Sequence, residues 1–456
     1  MRLGRFRAGA LAVAGALAVT VTPMTAAQAA PAAGATSCPG LARAYVPGAE
    51  RQQRACLADL TTAGTVASGH TVPADYAGLT AAGTANPSGV PGIQVDGYFP
   101  DTSTGNANHG WNHDSQFVLR LPERWNGGLV VTGAPGVRRQ YANDLAISDW
   151  VLARGYAFAS TDKGNTGAAF YTDGARPGDA VLEWHKRVTQ LTLAAKAAVA
   201  LRYGTLPRRT YMTGLSNGGY LTRWQLENVP WLYDGGVDWE GTLFRADGPN
   251  LFTYLPTALR AYPRYAAGDE SARREMLAAG FSPASEPLWA FHYQVYWDLT
   301  QRIYREEFDP DYDGALAAGI PFCASGTPGC DADYDYARRP AAVKQAVARI
   351  QLTGRIGKPM LTLHGTKDSL LPRELHSDVY TRLIAAQGRG QLHRYYVVED
   401  ANHVDSLYDL LPRVTRPLLP CYRDAFAALE AWVDRGTTPP SSRTIPRPAG
   451  DVVNTC

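Results

Sequence analysis

Long apolar runs are scarce in this chain of 456 residues. The one notable stretch, Ala8 to Val21, is about 14 residues, short of the roughly 20 that a helix needs to span a bilayer. No membrane-spanning helix is therefore expected. Net charge is also nearly missing: 44 Lys and Arg against 42 Asp and Glu leave +2, and Arg2, Arg5 and Arg7 fall in the first seven residues. A nucleic-acid backbone or an anionic membrane surface demands clustered basic charge, so neither is an expected partner. With 45% hydrophobic and only 19% charged residues, the chain is neither a disordered nor a collagenous polymer. It has the means to bury a sizeable core.

What is present begins with an export pattern. Arg2, Arg5 and Arg7 precede the apolar run, and Ala27-Gln28-Ala29 places small residues where a signal peptidase cuts, which predicts a signal peptide over 1–29 and a secreted product. All six cysteines lie beyond that cut, an even number in an oxidising compartment, and this favours three disulfides over metal ligation or free thiols. Fifteen pairings exist. Proximity in sequence suggests Cys38–Cys56, Cys323–Cys330 and Cys421–Cys456.

Residues 30–90, rich in Ala, Gly, Pro and Thr, read as an irregular arm. Short β-branched and aromatic runs then follow, IQVDGYF (93–99), QFVLRL (116–121), GLVVTG (128–133) and YAFAST (156–161), each bounded by turn residues. A long helix over 179–203, the strand RTYMTG (209–214), a helix from Asn217 and a strand at YDGGV (233–237) continue the series. After an aromatic-dense block the rhythm resumes with PMLTLHG (359–365), a helix at about 375–387, HRYYVVE (393–399) and a helix over 421–435. Such alternation predicts an α/β fold: a mostly parallel sheet with helices on both faces, since parallel strands need crossover helices. The core is assigned to 91–240 and 345–436, with 241–344 an inserted lid domain and 437–456 a tail.

Gly214-Leu215-Ser216-Asn217-Gly218 is a G-x-S-x-G between a predicted strand and a predicted helix, the placement that lifts a nucleophilic serine above a sheet edge. Both glycines are expected to lie too close to neighbouring backbone to carry a side chain. Serine needs a histidine to take its proton and an acid to orient that histidine. With the order serine, acid, histidine, Asp368 in HGTKDSLLP and His403 in EDANHVD each follow a downstream strand and are the assigned partners. His364, His376 and His393 read as structural, and Asp400 and Asp405 as solvated loop carboxylates. For an oxyanion hole, one N–H comes from Asn217. The second is expected from the loop Gly133-Ala134-Pro135-Gly136, where Pro135 has no N–H, so Gly133 or Ala134 is assigned. Trp239, Phe291, Tyr296 and Trp297, in and beside the insertion, are assigned to the substrate's acyl or aryl group.

The stretch RVTQLTLAAKAAVALRYGTLPRRTYMTGLSNGGY, followed by HGTKD and NHVD, resembles the tannase and feruloyl esterase family of secreted α/β-hydrolases. The S-N-G-G box also resembles 3-hydroxybutyrate oligomer hydrolases. The resemblance implies an α/β-hydrolase fold and a serine carboxylic-ester hydrolase for small-molecule or oligomeric esters, with no cofactor required for catalysis. Tannases usually carry cysteines beside the serine and histidine; here Leu215 and Val404 stand there, which points to a relative rather than a true tannase. Family insertions often hold a structural calcium, which would fall to Asp309, Asp311 and Asp313. Against the esterase stand two other classes, a serine peptidase using the same triad and a non-catalytic binding relative.

Overall fold

The computed structural model describes residues 38–312 and 331–456. Ten strands form one sheet: β1 (Arg51–Leu57), β2 (Gly92–Tyr98), β3 (Gln116–Pro122), β4 (Gly128–Gly133), β5 (Ala157–Thr161), β6 (Arg209–Leu215), β7 (Gly235–Trp239), β8 (Met360–Gly365), β9 (His393–Val398) and β10 (Arg443–Ile445). Their spatial order is β1-β2-β3-β5-β4-β6-β7-β8-β9-β10. Pairing is antiparallel from β1 through β3 to β5 and parallel from there to β10. The main helices are α1 (Asp179–Tyr203), α2 (Asn217–Asn228), α3 (Leu251–Ala266), α4 (Asp298–Phe308), α5 (Ser377–Ala386) and α6 (Leu419–Arg435).

Alternate side chains of a strand point to opposite faces, and here both faces are covered. Leu129, Val131 and Met212 join Trp184, Leu191 and Val199 of α1 in one apolar cluster. Val130, Tyr211, Val237 and Leu361 join Phe426 and Leu429 of α6 in the other. This double covering explains why GLVVTG reads as a continuous apolar run, not an alternating one.

Two sequence expectations are corrected. The arm is not irregular throughout, because Arg51–Leu57 pairs along its length with β2 and extends the sheet by an edge strand. Its outward residues are polar, so no apolar periodicity marks it. The tail likewise contributes β10, which pairs with β9 through Tyr396–Val398. Disulfides Cys38–Cys56 and Cys421–Cys456 tie these two segments down, while Cys323 and Cys330 lie outside the described residues. Among the described residues no helix is long and apolar enough to cross a membrane.

The insertion between β7 and β8 carries α3 and α4. It packs on the loops at the carboxyl ends of the parallel strands. Tyr254 of α3 donates to the carbonyl of Leu370 at 2.8 Å, and Trp297 Nε1 donates to the carbonyl of Ser369 at 2.7 Å. Both acceptors lie on the loop after β8.

Candidate active site

Strand β6 ends in a turn at Ser216, whose backbone sits at φ 60° and ψ −116°, a strained conformation for a residue with a side chain. The chain must reverse within this turn, and the two glycines show why. A Cβ on Gly214 would lie 2.5 Å from the backbone of Gly218, and one on Gly218 would lie 2.6 Å from the carbonyl oxygen of Gly133. Helix α2 starts directly at Asn217, so its unpaired N–H groups and positive dipole end face the space beside Ser216.

His403, on the loop after β9, brings Nε2 to 3.0 Å from Ser216 Oγ. Its Nδ1 is 2.8 Å from Asp368 Oδ2, on the loop after β8. A carboxylate only accepts, so Nδ1 carries the proton and Nε2 is free to accept from the serine. Asp368 is fully buried, and its other oxygen accepts the N–H groups of Leu370 at 2.9 Å and Leu371 at 2.8 Å. Burial alone would raise this carboxyl. The charge of His403 and hydrogen bonds from His364 and His403 outweigh burial and hold it far below the ordinary carboxylate range.

A second layer keeps these loops in place. His364 Nε2 donates to the carbonyl of Leu371 at 2.7 Å and stands 3.3 Å from Asp368 Oδ2. Ser377 Oγ receives Arg223 Nη2 at 2.7 Å and donates to His364 Nδ1 at 2.7 Å, which fixes the neutral tautomer. His376 accepts the N–H of Leu243 at Nδ1, 2.9 Å, and donates from Nε2 to Tyr254, 2.9 Å. The insertion also reaches the other two loops. His292 Nε2 donates to Asn402 Oδ1 at 3.1 Å, and the Asn217 amide meets the Tyr304 hydroxyl. Burial lowers His292 to about 4, so it stays neutral in this contact.

The structure brings Ser216, Asp368, His403 and Asn217 together and separates several other sequence assignments from them. The Ala134 N–H donates to the carbonyl of Thr161 at 3.0 Å and is used within the sheet. Gly133 is the last residue of β4, and its carbonyl accepts Asn143 Nδ2 at 3.2 Å. Further along the same loop Gly136, with φ 51°, also borders the serine turn, its carbonyl accepting Asn217 Nδ2 at 3.0 Å. Strand pairing thus uses up the Ala134 N–H, and Gly136 is the loop residue bonded to the Asn217 side chain.

Trp239 is wholly buried in β7 and packs on Tyr422, with ring centroids 5.3 Å apart, so it is core and not a substrate contact. Trp297 is also wholly buried, its indole spent on Ser369. Phe291 and Tyr296 remain half-buried, their rings 5.8 Å apart.

Of the three residues assigned to calcium, two lie among the described residues. Asp309 is buried and paired with Arg339, and its Oδ2 also accepts the Tyr334 hydroxyl at 3.0 Å. Asp311 is exposed, and Asp313 lies outside the described residues. A carboxylate already neutralised by a guanidinium offers a cation little. Asp405 is buried, not solvated; its two oxygens accept the N–H groups of Leu418 at 2.6 Å and Leu419 at 2.9 Å, at the start of α6.

Sequence reasoning missed Glu240, Tyr304, His292 and Asn402. Glu240 had a usable signal, since it is an acid directly after a downstream strand, the rule that selected Asp368.

Comparison with known proteins gives two partial family matches. Residues 104–237 match the family described as Tannase and feruloyl esterase, and residues 311–455 match the one described as 3HB-oligomer hydrolase (3HBOH). The first segment holds Ser216 and the second holds Asp368 and His403. A D-(-)-3-hydroxybutyrate oligomer hydrolase of Cupriavidus pinatubonensis (strain JMP 134 / LMG 1197) is 35% identical over 122 residues, 25% of this chain and 17% of that protein. A mono(2-hydroxyethyl) terephthalate hydrolase of Piscinibacter sakaiensis is 28% identical over 144 residues, 28% of this chain and 23% of that protein. The match thus spans about a fifth of the length of these curated relatives.

Among solved structures, feruloyl esterase B from Aspergillus oryzae is 14% identical, with a TM-score of 0.51 over 86% of this chain and 88% of the other. An esterase from the same organism is 15% identical, with a TM-score of 0.51 over 88% and 90%. At such identity the likeness is one of fold, and the chain has the α/β-hydrolase fold. Its resemblance to the tannase and feruloyl esterase superfamily and to the 3-hydroxybutyrate oligomer hydrolases is carried by both halves of the site.

Proposed function

We propose that this chain is a secreted serine carboxylic-ester hydrolase acting through an acyl-enzyme, on aryl or hydroxyalkanoate esters. The observation that carries the reading is the relay Ser216 Oγ, His403 Nε2 at 3.0 Å, His403 Nδ1 and Asp368 Oδ2 at 2.8 Å, on a strained turn at a helix start. Ser216 attacks the ester carbonyl as His403 Nε2 takes its proton. The tetrahedral oxyanion is met by the Asn217 N–H and, on the opposite loop, by that of Gly136. His403 then returns the proton to the leaving alkoxide, and the same steps with water release the acid.

The two curated relatives are named as hydrolases, one of D-(-)-3-hydroxybutyrate oligomers and one of mono(2-hydroxyethyl) terephthalate. The family match over 311–455 favours hydroxybutyrate oligomers as a second reading of the substrate. The pairing Cys38–Cys56 and Cys421–Cys456 supports an oxidising compartment and hence export.

The test is a panel of p-nitrophenyl alkanoates, feruloyl and galloyl esters, hydroxybutyrate oligomers and amino-acid anilides. Ester turnover that falls at least a thousandfold in Ser216→Ala with an unchanged circular dichroism spectrum is the expected result. Turnover of anilides alone would make the protein a peptidase, and a fully active Ser216→Ala would remove the reading.

A further inference from the structure

Glu240 directly follows β7 and is fully buried, with φ 49°, in the left-handed region. Its N–H donates to the carbonyl of Leu363 at 2.9 Å, and its Oε1 accepts the N–H of Gly365 at 2.8 Å, so backbone and side chain both clamp it to β8. Oε2 has no hydrogen-bond partner of ordinary geometry among the described residues, the Trp239 indole N–H interacting with the carboxyl only weakly. It stands 3.8 Å from His403 Nδ1, the same nitrogen that Asp368 holds.

A buried carboxyl with an orphaned oxygen costs free energy, and a positive φ on a non-glycine residue adds roughly 1–3 kcal/mol. The clamp on Gly365 needs only one carbonyl oxygen, which a glutamine would supply. What a second carboxyl oxygen adds, once the group is ionised, is a charged acceptor 3.8 Å from the imidazole Nδ1.

Resting on the reading of Ser216, His403 and Asp368 as a triad, we propose that Glu240 is a second acid for His403, a positioning residue that takes the Nδ1 proton's hydrogen bond when Asp368 cannot. A shift of about 1 Å brings Oε2 to hydrogen-bond length. The groups facing it are Trp239 beside it, His364 and Asp368 from β8 and its loop, and His403 and Asp405 from the loop after β9. Burial first, then the charge of Asp368, push the Glu240 carboxyl well above its ordinary range, with Asp405 adding to the effect. With Asp368 ionised, both effects favour the protonated form of Glu240. Removing the Asp368 charge lets Glu240 lose its proton to solvent at a lower pH than before, though burial still holds it above an ordinary glutamate.

The experiment compares wild type, Glu240→Gln, Asp368→Asn and the double variant, with kcat and KM on one p-nitrophenyl ester from pH 5 to 9. Glu240→Gln is expected to lower kcat less than tenfold in the wild-type background and at least tenfold in the Asp368→Asn background, with KM unchanged. The advantage of Asp368→Asn over the double variant should grow with pH, because Glu240 must ionise to act. Equal kcat and equal pH profiles for Asp368→Asn and the double variant would overturn the proposal, as would an equal cost of Glu240→Gln in both backgrounds. Should Asp368→Asn fail to fold, the 13C titration of the Glu240 carboxyl in the wild-type protein decides: ionisation in the ordinary range overturns the proposal, and ionisation well above it supports it. An inactive Ser216→Ala beside a failed cycle would remove only the second acid and leave the esterase reading standing.

Discussion

Gly218 and Trp297 do different work at the same site. A methyl group on Gly218, in the first turn of α2, would press on the backbone carbonyl oxygen of Gly133 at the end of β4 from 2.6 Å, and neither can yield without moving the loop after β4. Gly218→Ala is therefore expected to cut kcat at least tenfold and lower Tm. Normal turnover would mean the turn is looser than its geometry. Trp297 faces no solvent, and its indole holds Ser369 next to Asp368. Trp297→Phe should lower kcat several-fold across all esters while leaving the ranking among them unchanged; a changed ranking would return Trp297 to the substrate pocket. The exchanges that should alter ranking are at Phe291 and Tyr296, the aromatics still half-exposed. Sequence could name Trp297 as important but not assign its partner, because that partner is 72 residues away.

At the scale of elements, α6 begins without a capping side chain of its own, its N-cap being Leu418. Asp405 supplies the cap from the His403 loop, accepting the N–H groups of Leu418 and Leu419. Losing a cap costs about 1–2 kcal/mol, so Asp405→Ala should lower Tm by a few degrees and leave kcat within a few-fold. A loss of kcat comparable to that of Asp368→Asn would make Asp405 the acid after all. Strand and helix positions were legible in the sequence almost throughout the parallel half: GLVVTG is β4 to the residue, and the helix over 179–203 matches α1. Edge strands β1 and β10 were not, because an edge strand with one solvated face carries little apolar signal.

For the whole molecule, the insertion bonds to the loops after β6, β8 and β9 through Tyr304, Trp297 and His292. It acts as a brace for the site as well as a cover. Neither described disulfide joins the serine turn to the His403 loop, and the positions flanking Ser216 and His403 are filled by Leu215 and Val404, both in one buried apolar cluster. Mild reduction should therefore lower Tm, with a loss of stability of roughly 3–4 kcal/mol per bridge for loops closed over 18 and 35 residues, while kcat below the transition is retained. Stability should also depend on pH in a defined direction. Burial, followed for Asp149 by the charge of Asp144, raises Asp149 and Asp405 to about 7, so the folded state holds protons that the unfolded chain has released. Their contribution is complete below about pH 4 and is lost as pH rises through 7. Buried His185, His292 and His393, lowered to about 3 or 4 by burial, act oppositely but only below about pH 6.5. Thermal melts should therefore show Tm falling between pH 6.5 and 8, and a rising Tm would contradict the assignment.

The sequence alone determined the α/β alternation, the serine turn and its partners Asp368 and His403. Each is a local pattern: periodicity within a strand, sterics within a pentapeptide, an acid or histidine directly after an apolar run. The tertiary structure decided what depends on which strands are neighbours. The pairing of β4 with β5 consumed the Ala134 N–H. The pairing of β7 with β8 carried Glu240 to 3.8 Å from His403. Burial turned Trp239 and Trp297 inward. Hydrogen-bond partners and burial are properties of juxtaposed segments far apart in the chain, and no local pattern encodes them.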